Sequence, residues 1–312
     1  MKKFSMKTIF LTIAVIVVVI VAIIYFAAPA YLYNKAIDGW RKDAGLTVKS
    51  VNIPDFKIAY LEGGTGDTII MLHGFAVNKD NWPWLAKYFT PNYRVIIPDL
   101  PGFGDSSKPQ DAKYNIMSQV ERLNLFVKEL KLTKFHIVGN SMGGDIAGNY
   151  AVAYPEMVKT LALFDSAGVV SPIKSELTLL LEKGSNPLVV KDQKGYEGLL
   201  EFCFNKPPQL PSFMKKYFAK QAMEAAPFNE KIFNEISTDI IALEGKLDKI
   251  TAPTLIVWGD SDKVIHVSSV GVFEKNIKGS KSAIIKDCGH APMLEKPQET
   301  ASIYQDFLKG KN

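Results

Sequence analysis

Residues 135–144 read Phe135-His-Ile-Val-Gly-Asn-Ser-Met-Gly-Gly and decide the fold. The run begins with four mostly apolar residues typical of a buried strand, and a helical pattern follows at residues 145–153. A Gly-x-Ser-x-Gly pattern between a strand and a helix is typical of a tight, strained turn that points a serine hydroxyl out of a sheet. Side chains at Gly139 or Gly143 would collide with neighbouring backbone. The stretch therefore predicts a nucleophile, Ser141; the alternative is a glycine-rich turn with an incidental serine.

Short apolar runs alternate with helical patterns on both sides of this turn. Several runs are apolar throughout, as expected for parallel strands that are buried on both faces. The alternation predicts an α/β fold with a mostly parallel, doubly wound sheet flanked by helices. The predicted strands lie at residues 56–61, 68–72, 94–97, 135–138, 160–164, 254–258 and 282–285.

The alternation stops between residues 171 and 250, where apolar side chains recur at helical spacings interrupted by prolines. This pattern predicts a helical cap or lid inserted into the sheet. Residues 31–50 are interpreted as a linker or juxtamembrane helix. The predicted organisation is an N-terminal anchor at 1–30, the first part of the core at 31–170, the cap at 171–250 and the second part of the core at 251–312.

The N-terminal segment has the pattern of a membrane anchor. No charged residue occurs between Lys7 and Lys35, and residues 9–28 are almost wholly apolar. A bilayer core of about 30 Å needs roughly 20 such residues as a helix. The alternative is a cleaved signal peptide, but its apolar region usually spans only about 7–15 residues. We expect a single-pass anchor, with the catalytic domain on the extracytoplasmic side.

Composition narrows the function classes. The chain has 312 residues, a net charge of +5 and a hydrophobic fraction of 47%, which suits a globular enzyme. The small basic excess, without a basic run interleaved with aromatics, predicts no nucleic-acid partner. Cys203 and Cys288 form no CxxC pair, so no metal site is expected, and they are interpreted as free thiols, with a disulfide as the alternative. No cofactor is expected, and the oligomeric state stays open.

A serine nucleophile needs a base to take its proton. The chain has four histidines. His290 lies in a loop after the last predicted strand, where it could reach over the sheet edge to Ser141. His73 and His136, at or inside strands, are interpreted as structural, and His266 as a surface or supporting residue.

The base needs a carboxylate to orient it. Asp260 and Asp262 follow the strand at residues 254–258, and the chain order Ser, Asp, His is the one expected for this kind of fold. We predict Asp262 as the catalytic acid and assign Asp260 to the turn. Asp165, at the end of the preceding predicted strand, is the remaining alternative.

Acyl transfer also needs donors for the negative charge that develops on the carbonyl oxygen. One is the backbone N–H of Met142, the residue after the nucleophile. The other is predicted to be the N–H of Phe75, because Gly74 and Phe75 follow the strand at residues 68–72. A simple strand-end turn is the alternative for that loop.

Together these segments resemble the α/β-hydrolase family over residues 50–310. The resemblance is greatest to membrane-anchored monoacylglycerol lipases and related bacterial lipases, and implies that Ser141, Asp262 and His290 form the triad, with Phe75 and Met142 as the oxyanion hole. It also implies hydrolysis of a lipid ester, with monoacylglycerol preferred. The segments that carry it are Met71-Leu-His-Gly-Phe, Pro98-Asp-Leu-Pro-Gly-Phe-Gly-Asp-Ser-Ser, His136-Ile-Val-Gly-Asn-Ser-Met-Gly-Gly, Lys79-Asp, Leu255-Ile-Val-Trp-Gly-Asp-Ser-Asp and Gly289-His-Ala-Pro.

Two other functions stay open. Hydrolases of meta-cleavage products also carry a Gly-Asn-Ser-Met-Gly-Gly turn, although their oxyanion loop usually has Gly-Pro-Gly where this chain has Gly74-Phe-Ala-Val-Asn. A non-catalytic, lipid-binding scaffold is the second alternative. Apolar residues of the cap are expected either to line an acyl tunnel or merely to pack on the core: Leu179, Leu180, Leu181, Phe202, Phe204, Phe213, Met214, Phe218 and Met223.

Overall fold

The structure is a computed structural model that describes residues 6–238 and 243–310, apart from the side chains of residues 8, 9 and 18–27. Its strands are β1 (Leu46–Ile53), β2 (Phe56–Gly63), β3 (Thr68–Leu72), β4 (Arg94–Pro98), β5 (Phe135–Asn140), β6 (Val158–Phe164), β7 (Thr254–Gly259) and β8 (Lys281–Ile285). Its α-helices are α1 (Met6–Asp43), α2 (Pro83–Ala86), α3 (Ile116–Glu129), α4 (Met142–Ala153), α5 (Glu176–Glu182), α6 (Gln193–Cys203), α7 (Ser212–Ser237), α8 (Ser269–Asn276), α9 (Pro292–Glu295) and α10 (Pro297–Leu308). Short 3₁₀ helices occupy Lys79–Asn81, Pro155–Met157 and Glu244–Lys249.

The strands form one mostly parallel sheet in the order β1-β2-β4-β3-β5-β6-β7-β8. Only β2 runs against its neighbours, pairing antiparallel with β1 and β4 among the described strands. The predicted fold class is therefore confirmed. Because β3, β5, β6 and β7 are parallel neighbours, the loops at their carboxyl ends meet along one edge, where open α/β sheets form their binding crevice.

Both faces of the sheet are buried, which explains the apolar strands. Ile70 and Leu72 of β3 belong to one hydrophobic cluster, while Ile69 and Met71 belong to a second cluster on the opposite face. Successive side chains of a strand alternate between faces, so a strand covered on both sides must be apolar at every position.

One strand was not predicted. β1 lies where the sequence suggested a juxtamembrane segment, and it pairs along its whole length with β2. It is an edge strand whose central residues, 47–50, are exposed. Because only its two end residues are buried, its sequence lacks the apolar run that revealed the central strands.

The N-terminal helix α1 continues through Pro29 and docks its second half on the folded core. Arg41 holds Asp80 through two hydrogen bonds of 2.7 Å, and the rings of Tyr33 and Phe218 lie 5.2 Å apart. Within the described part of the chain, no helix combines the length and apolar character that crossing a membrane requires. The structure thus gives the predicted anchor at residues 9–28 no support, although most of that stretch lies outside the described side chains.

The connection between β6 and β7 contributes α5, α6 and α7 but no strand among its described residues, in the region of the predicted cap. Residues 239–242 of this connection lie outside the description. The prolines at 207, 208 and 211 precede α7, as expected of helix-breaking residues. Pro227 was also expected to interrupt a helix, but α7 runs through it for 26 residues.

Candidate active site

Ser141 occupies the strained turn between β5 and α4. Its φ of 57° and ψ of −123° lie in a region that residues with a side chain rarely adopt. The turn is held in place because the Ser141 N–H donates to the carbonyl of Phe164 at 3.0 Å and the Ser141 carbonyl accepts the N–H of Ala167 at 3.1 Å. Both contacts come from the neighbouring strand β6 and the loop that follows it.

The two glycines of the turn are required by close backbone approach. A Cβ on Gly139 would lie 2.0 Å from the carbonyl oxygen of Gly143. A Cβ on Gly143 would lie 2.4 Å from the carbonyl oxygen of Leu72, at the end of β3. No real Cβ tolerates such distances, so the glycines allow the turn to pack on two strands at once.

His290 and Asp262 form a buried pair. Nδ1 of His290 and Oδ2 of Asp262 lie 2.8 Å apart. The other oxygen of Asp262 accepts the backbone N–H groups of Val264 at 2.7 Å and Ile265 at 3.1 Å. A proton on Nδ1 that is held by the carboxylate leaves Nε2 as the nitrogen able to accept a proton from a hydroxyl.

Asn140 connects this pair to the serine turn. Its side-chain N–H₂ donates to the carbonyl of His290 at 3.0 Å and to the carbonyl of Phe164 at 3.1 Å. Asn140 directly precedes Ser141, so one buried amide fixes the histidine loop to the turn. This role was not predicted from the sequence, in which the only signal is an amide between the glycine and the serine of the turn.

The predicted oxyanion donors lie at the same place. A Cβ on Gly74 would lie 3.2 Å from the Cβ of Ser141, so the loop after β3 runs directly beside the serine. Phe75, Ser141 and Met142 line one cavity. The backbone N–H groups of Phe75 and Met142 donate to no other group of the described chain, which leaves both available to a ligand.

The loop after β3 is held by an ion-pair network in which Lys79 and Asp99 are buried and Asp105 is exposed. Nζ of Lys79 lies 2.8 Å from Oδ2 of Asp99 and 2.6 Å from Oδ2 of Asp105. Burial alone would lower the pKa of Lys79, but the charge of Asp99 and the hydrogen bonds to both carboxylates outweigh it and raise the pKa. Asp80, the next residue, holds Arg41 of α1, so the N-terminal helix and the oxyanion loop share one network.

The alternative acids differ in their surroundings. Asp260 accepts hydrogen bonds from the hydroxyl of Ser261 at 2.8 Å and the N–H of Cys288 at 3.4 Å, in keeping with the turn role expected of it. Asp165 is fully buried, and one of its oxygens, an oxygen of Asp262 and a nitrogen of His290 lie within 4.8 Å of one another. The structure thus brings Asp165, but not Asp260, beside the His290–Asp262 pair.

These three side chains have the spacing of a metal site but do not fit one. Nδ1 of His290 lies 2.8 Å from Oδ2 of Asp262, so a cation at this nitrogen would have to break that contact. The two oxygens of Asp262 already accept three hydrogen bonds between them. The geometry suits proton sharing rather than coordination.

The other histidines hold structure. Burial lowers the pKa of His73, whose Nδ1 lies 2.7 Å from the carbonyl oxygen of Gly74. Burial also lowers the pKa of His136 to about 4, and its Nδ1 lies 2.8 Å from the hydroxyl of Thr160. His266 accepts a backbone N–H two residues away at 3.1 Å. The contacts of His73 and His266 are local to their loops, whereas that of His136 joins β5 to the neighbouring strand β6.

Neither cysteine is in a disulfide; both are free thiols. Burial raises the pKa of Cys203 to about 12, and burial also raises the pKa of Cys288. Thiols with raised pKa values are poor nucleophiles at neutral pH. They contribute packing and backbone contacts around the histidine loop, where the carbonyl of Cys203 accepts the N–H of His290 at 2.8 Å.

An apolar cavity of about 520 Å³ opens at Ser141. One side is formed by Val264 and Ile265, the residues whose N–H groups hold Asp262. The helices between β6 and β7 contribute much of the remaining wall. Its apolar residues from that connection include Leu177, Leu181, Leu188, Phe233 and Ile236.

Most of the cap residues named as candidates for an acyl tunnel do not line this cavity. Of the nine cap residues named from the sequence, only Leu181 lines this cavity. Leu177 and Leu181 are four residues apart and share one face of α5, whereas Leu179 is 44% exposed on another. Phe218 instead faces a separate cavity beside Tyr33 of α1. The helical spacing in the sequence identifies the apolar residues of the cap, but the orientation of each helix determines which of these residues face the site.

Comparisons with known proteins agree with this geometry. Residues 67–207 match the family model described as the alpha/beta hydrolase fold. Lipase 1 of Psychrobacter immobilis is 38% identical over 281 residues, covering 88% of each chain. A monoacylglycerol lipase of Xenopus laevis is 31% identical over 294 residues, covering 90% of this chain and 87% of the relative.

A solved structure is similar over nearly the whole chain. It is the crystal structure of a membrane phospholipase A, described as a bacterial virulence factor, with 44% sequence identity and a TM-score of 0.91. The match covers 98% of this chain and 99% of that one. Sequence, fold and site geometry lead to one conclusion: the chain belongs to the α/β-hydrolase family.

Proposed function

We propose that this protein is a serine carboxylic-ester hydrolase that cleaves lipid esters, with monoacylglycerol as the preferred substrate. The proposal is supported by two observations: Ser141 lines an apolar cavity, and Asn140, the residue before it, donates to the backbone carbonyl of His290, which pairs with Asp262. The relatives named as lipases support the same chemistry.

The proposed reaction proceeds through an acyl-enzyme. Nε2 of His290 takes the hydroxyl proton as Oγ of Ser141 attacks the ester carbonyl, and Asp262 stabilises the imidazolium that forms. The backbone N–H groups of Phe75 and Met142 hold the negative oxygen of the tetrahedral intermediate. The alcohol then leaves with the proton from His290. Water, activated by the same histidine, releases the carboxylic acid and restores the serine.

The cavity favours an acyl chain over a polar group. Its lining beyond the serine is dominated by apolar side chains of α5, α7 and the loop after β6. Each methylene that leaves water for such surroundings contributes about 0.8 kcal/mol. Longer acyl chains should therefore be preferred until the cavity is full, which is the substrate pattern expected of a lipase.

A substrate panel tests this proposal. We expect a monoacylglycerol to be hydrolysed faster than short p-nitrophenyl esters, diacylglycerols or triacylglycerols. Leu181→Trp, which fills part of the cavity, should lower kcat/KM for long chains by about tenfold, equivalent to losing one or two buried methylenes. The kcat/KM of the same variant for short esters should change little. The matched control is Leu179→Trp on the same helix, at an exposed position that should leave chain-length preference unchanged.

A meta-cleavage dienone added to this panel, together with labelling by a fluorophosphonate probe, separates the alternatives. Turnover of a meta-cleavage dienone with inert glycerides would assign C–C bond hydrolysis to the same residues. A folded protein that turns over no ester and never reacts with a fluorophosphonate probe would support the non-catalytic scaffold. An unchanged preference in Leu181→Trp would contradict the assignment of this cavity to the acyl chain.

A membrane location is the second part of the proposal, and it rests on the sequence. We propose that residues 9–28 anchor the chain and that the folded part lies on the extracytoplasmic side. The full chain should stay with membranes through an alkaline carbonate wash, and protease added outside intact cells should degrade the folded part. Deletion of residues 1–28 should release a protein that still hydrolyses short soluble esters. Full-length protein recovered in the carbonate supernatant would argue against the anchor.

A further inference from the structure

Asp165 is a second buried carboxyl beside the predicted catalytic acid. It follows β6 directly and has a φ of 44°, a left-handed conformation that aspartate and asparagine tolerate better than most residues. Its N–H donates to the carbonyl of Val257 at 3.0 Å, and its Oδ1 accepts the N–H of Gly259 at 2.9 Å. Asp165 is thus fixed between β6 and β7, with no exposed surface.

The second oxygen of Asp165 points to a shared proton. Within the described part of the chain, no N–H or O–H group of another residue donates to Oδ2 of Asp165. One oxygen of Asp165 nevertheless lies within 4.8 Å of an oxygen of Asp262. Two ionised carboxylates this close repel each other in a dry site, and the oxygens of both would be acceptors. A proton on Asp165 removes the repulsion and supplies the missing donor.

The hydrogen bonds of Asp262 leave room for that donor. A carboxylate has about four lone-pair sites, and three on Asp262 accept the N–H groups of Val264, Ile265 and His290. A protonated Asp165 completes the set. A carboxylate whose four lone-pair sites all accept hydrogen bonds cannot rotate away from the imidazole of His290.

We infer that Asp165 is a positioning residue that stays protonated in the working enzyme and donates a hydrogen bond to Asp262, holding it ionised against Nδ1 of His290. This inference rests on the proposed serine-hydrolase function. Asp165 does not touch the substrate; it acts through Asp262.

The charges around Asp165 agree with this assignment. Burial, followed by the negative charge of Asp262, raises the pKa of Asp165 well above its ordinary value, and the N–H of Gly259 opposes that rise only in part. Glu295 adds a further negative charge, and the Cys288 thiol faces the same group. Besides His290, no cationic side chain of the described residues pairs with either carboxyl. Ionisation of Asp165 at alkaline pH would therefore repel Asp262 and lower kcat.

Two substitutions separate positioning from direct catalysis. Asp165→Asn keeps an oxygen for Gly259, offers an N–H₂ donor to Asp262 and tolerates the positive φ. We expect its kcat to stay close to that of the wild type and its alkaline loss of kcat to disappear. Asp165→Ala removes the donor and should lower kcat by about tenfold with little change in KM, the effect of losing one buried hydrogen bond.

Asp260→Asn is the matched control, because Asp260 follows β7 and pairs with Ser261 and the N–H of Cys288 rather than with His290. Its kcat should remain within about threefold of the wild type, and its pH profile should match that of the wild type. A loss of about 10⁴ in Asp165→Asn would show instead that Asp165 is the ionised acid of the triad. An Asp165→Ala protein with wild-type kcat and pH profile would show that Asp165 positions nothing.

Infrared spectroscopy detects the protonation state of Asp165 without any measurement of enzyme activity. The difference spectrum between wild type and Asp165→Asn at neutral pH should contain the carbonyl band of a protonated carboxylic acid, whereas Asp260→Asn should leave that band in place. Absence of the band overturns the inference, even in a fully active enzyme. If the band is present but a fluorophosphonate does not label the protein, the shared proton is supported and the proposed function is rejected.

Discussion

If Ser141 is the nucleophile proposed above, its replacement by alanine is expected to lower kcat for ester hydrolysis by about 10⁶-fold, as loss of the nucleophile does in known serine hydrolases. The oxygen that attacks the carbonyl is gone, and only binding and the backbone donors of Phe75 and Met142 remain to assist water. Alanine meets the same backbone strain as serine at this position, so the fold should persist. Steady-state hydrolysis of a short ester, with thermal unfolding as a check on folding, measures the effect.

Ser171→Ala is the matched control, because Ser171 lines the same cavity but lies outside the strained turn. Its hydroxyl pairs with that of Ser269 at 2.6 Å, which gives it no base. The control should be labelled by a fluorophosphonate and hydrolyse esters like the wild type, whereas Ser141→Ala should not be labelled. Labelling that survives in folded Ser141→Ala would place the nucleophile elsewhere.

The second large effect is expected from Asp262→Asn, with a loss of about 10⁴ in kcat. The amide that replaces the carboxylate can donate to Nδ1 of His290, which moves the ring proton to Nε2 and removes the base. The positive charge on the histidine also loses its partner in the transition state. KM should change little, because Asp262 is fully buried and does not contact the substrate.

Asp260→Asn again serves as the comparison, two residues away on the same loop. Its carboxylate holds Ser261 and the N–H of Cys288 rather than the histidine, so kcat should remain within about threefold of the wild type, in the range expected from weakening a single turn hydrogen bond. Equal losses in the two variants would mean that loop structure, and not the pairing with His290, controls the rate. A steady-state comparison on one ester at neutral pH is sufficient.

The sequence by itself determined the elements whose causes are local. Gly139, for example, is required by its close approach to the backbone of Gly143 in the same turn. The central strands were predictable because burial on both faces demands continuous apolar runs. The edge strand β1 was not predicted for the converse reason. Its exposure to solvent permits polar residues, so its sequence lacks a continuous apolar run.

The site was predictable as a set of residues but not as an arrangement. Chain order and strand position suggested Ser141, Asp262 and His290, whose roles stay predictions until the variants are measured. The hydrogen bond between Nδ1 and Oδ2 joins residues 28 positions apart, and the contact from Asn140 to His290 spans 150 positions. No local pattern specifies such contacts, since they depend on the order in which strands assemble in the sheet.

Only the tertiary structure decided which groups serve the site. It placed Asp165 rather than Asp260 beside Asp262, because β6 and β7 are neighbours and their carboxyl ends meet. It placed Leu177 and Leu181 at the cavity and left Leu179 exposed, because the rotation of α5 about its axis depends on tertiary contacts such as the hydrogen bond from the Leu177 N–H to the carbonyl of Lys263 at 3.1 Å. Residue type and spacing are encoded locally, whereas proximity between distant segments and the protonation it imposes arise only when the sheet has formed.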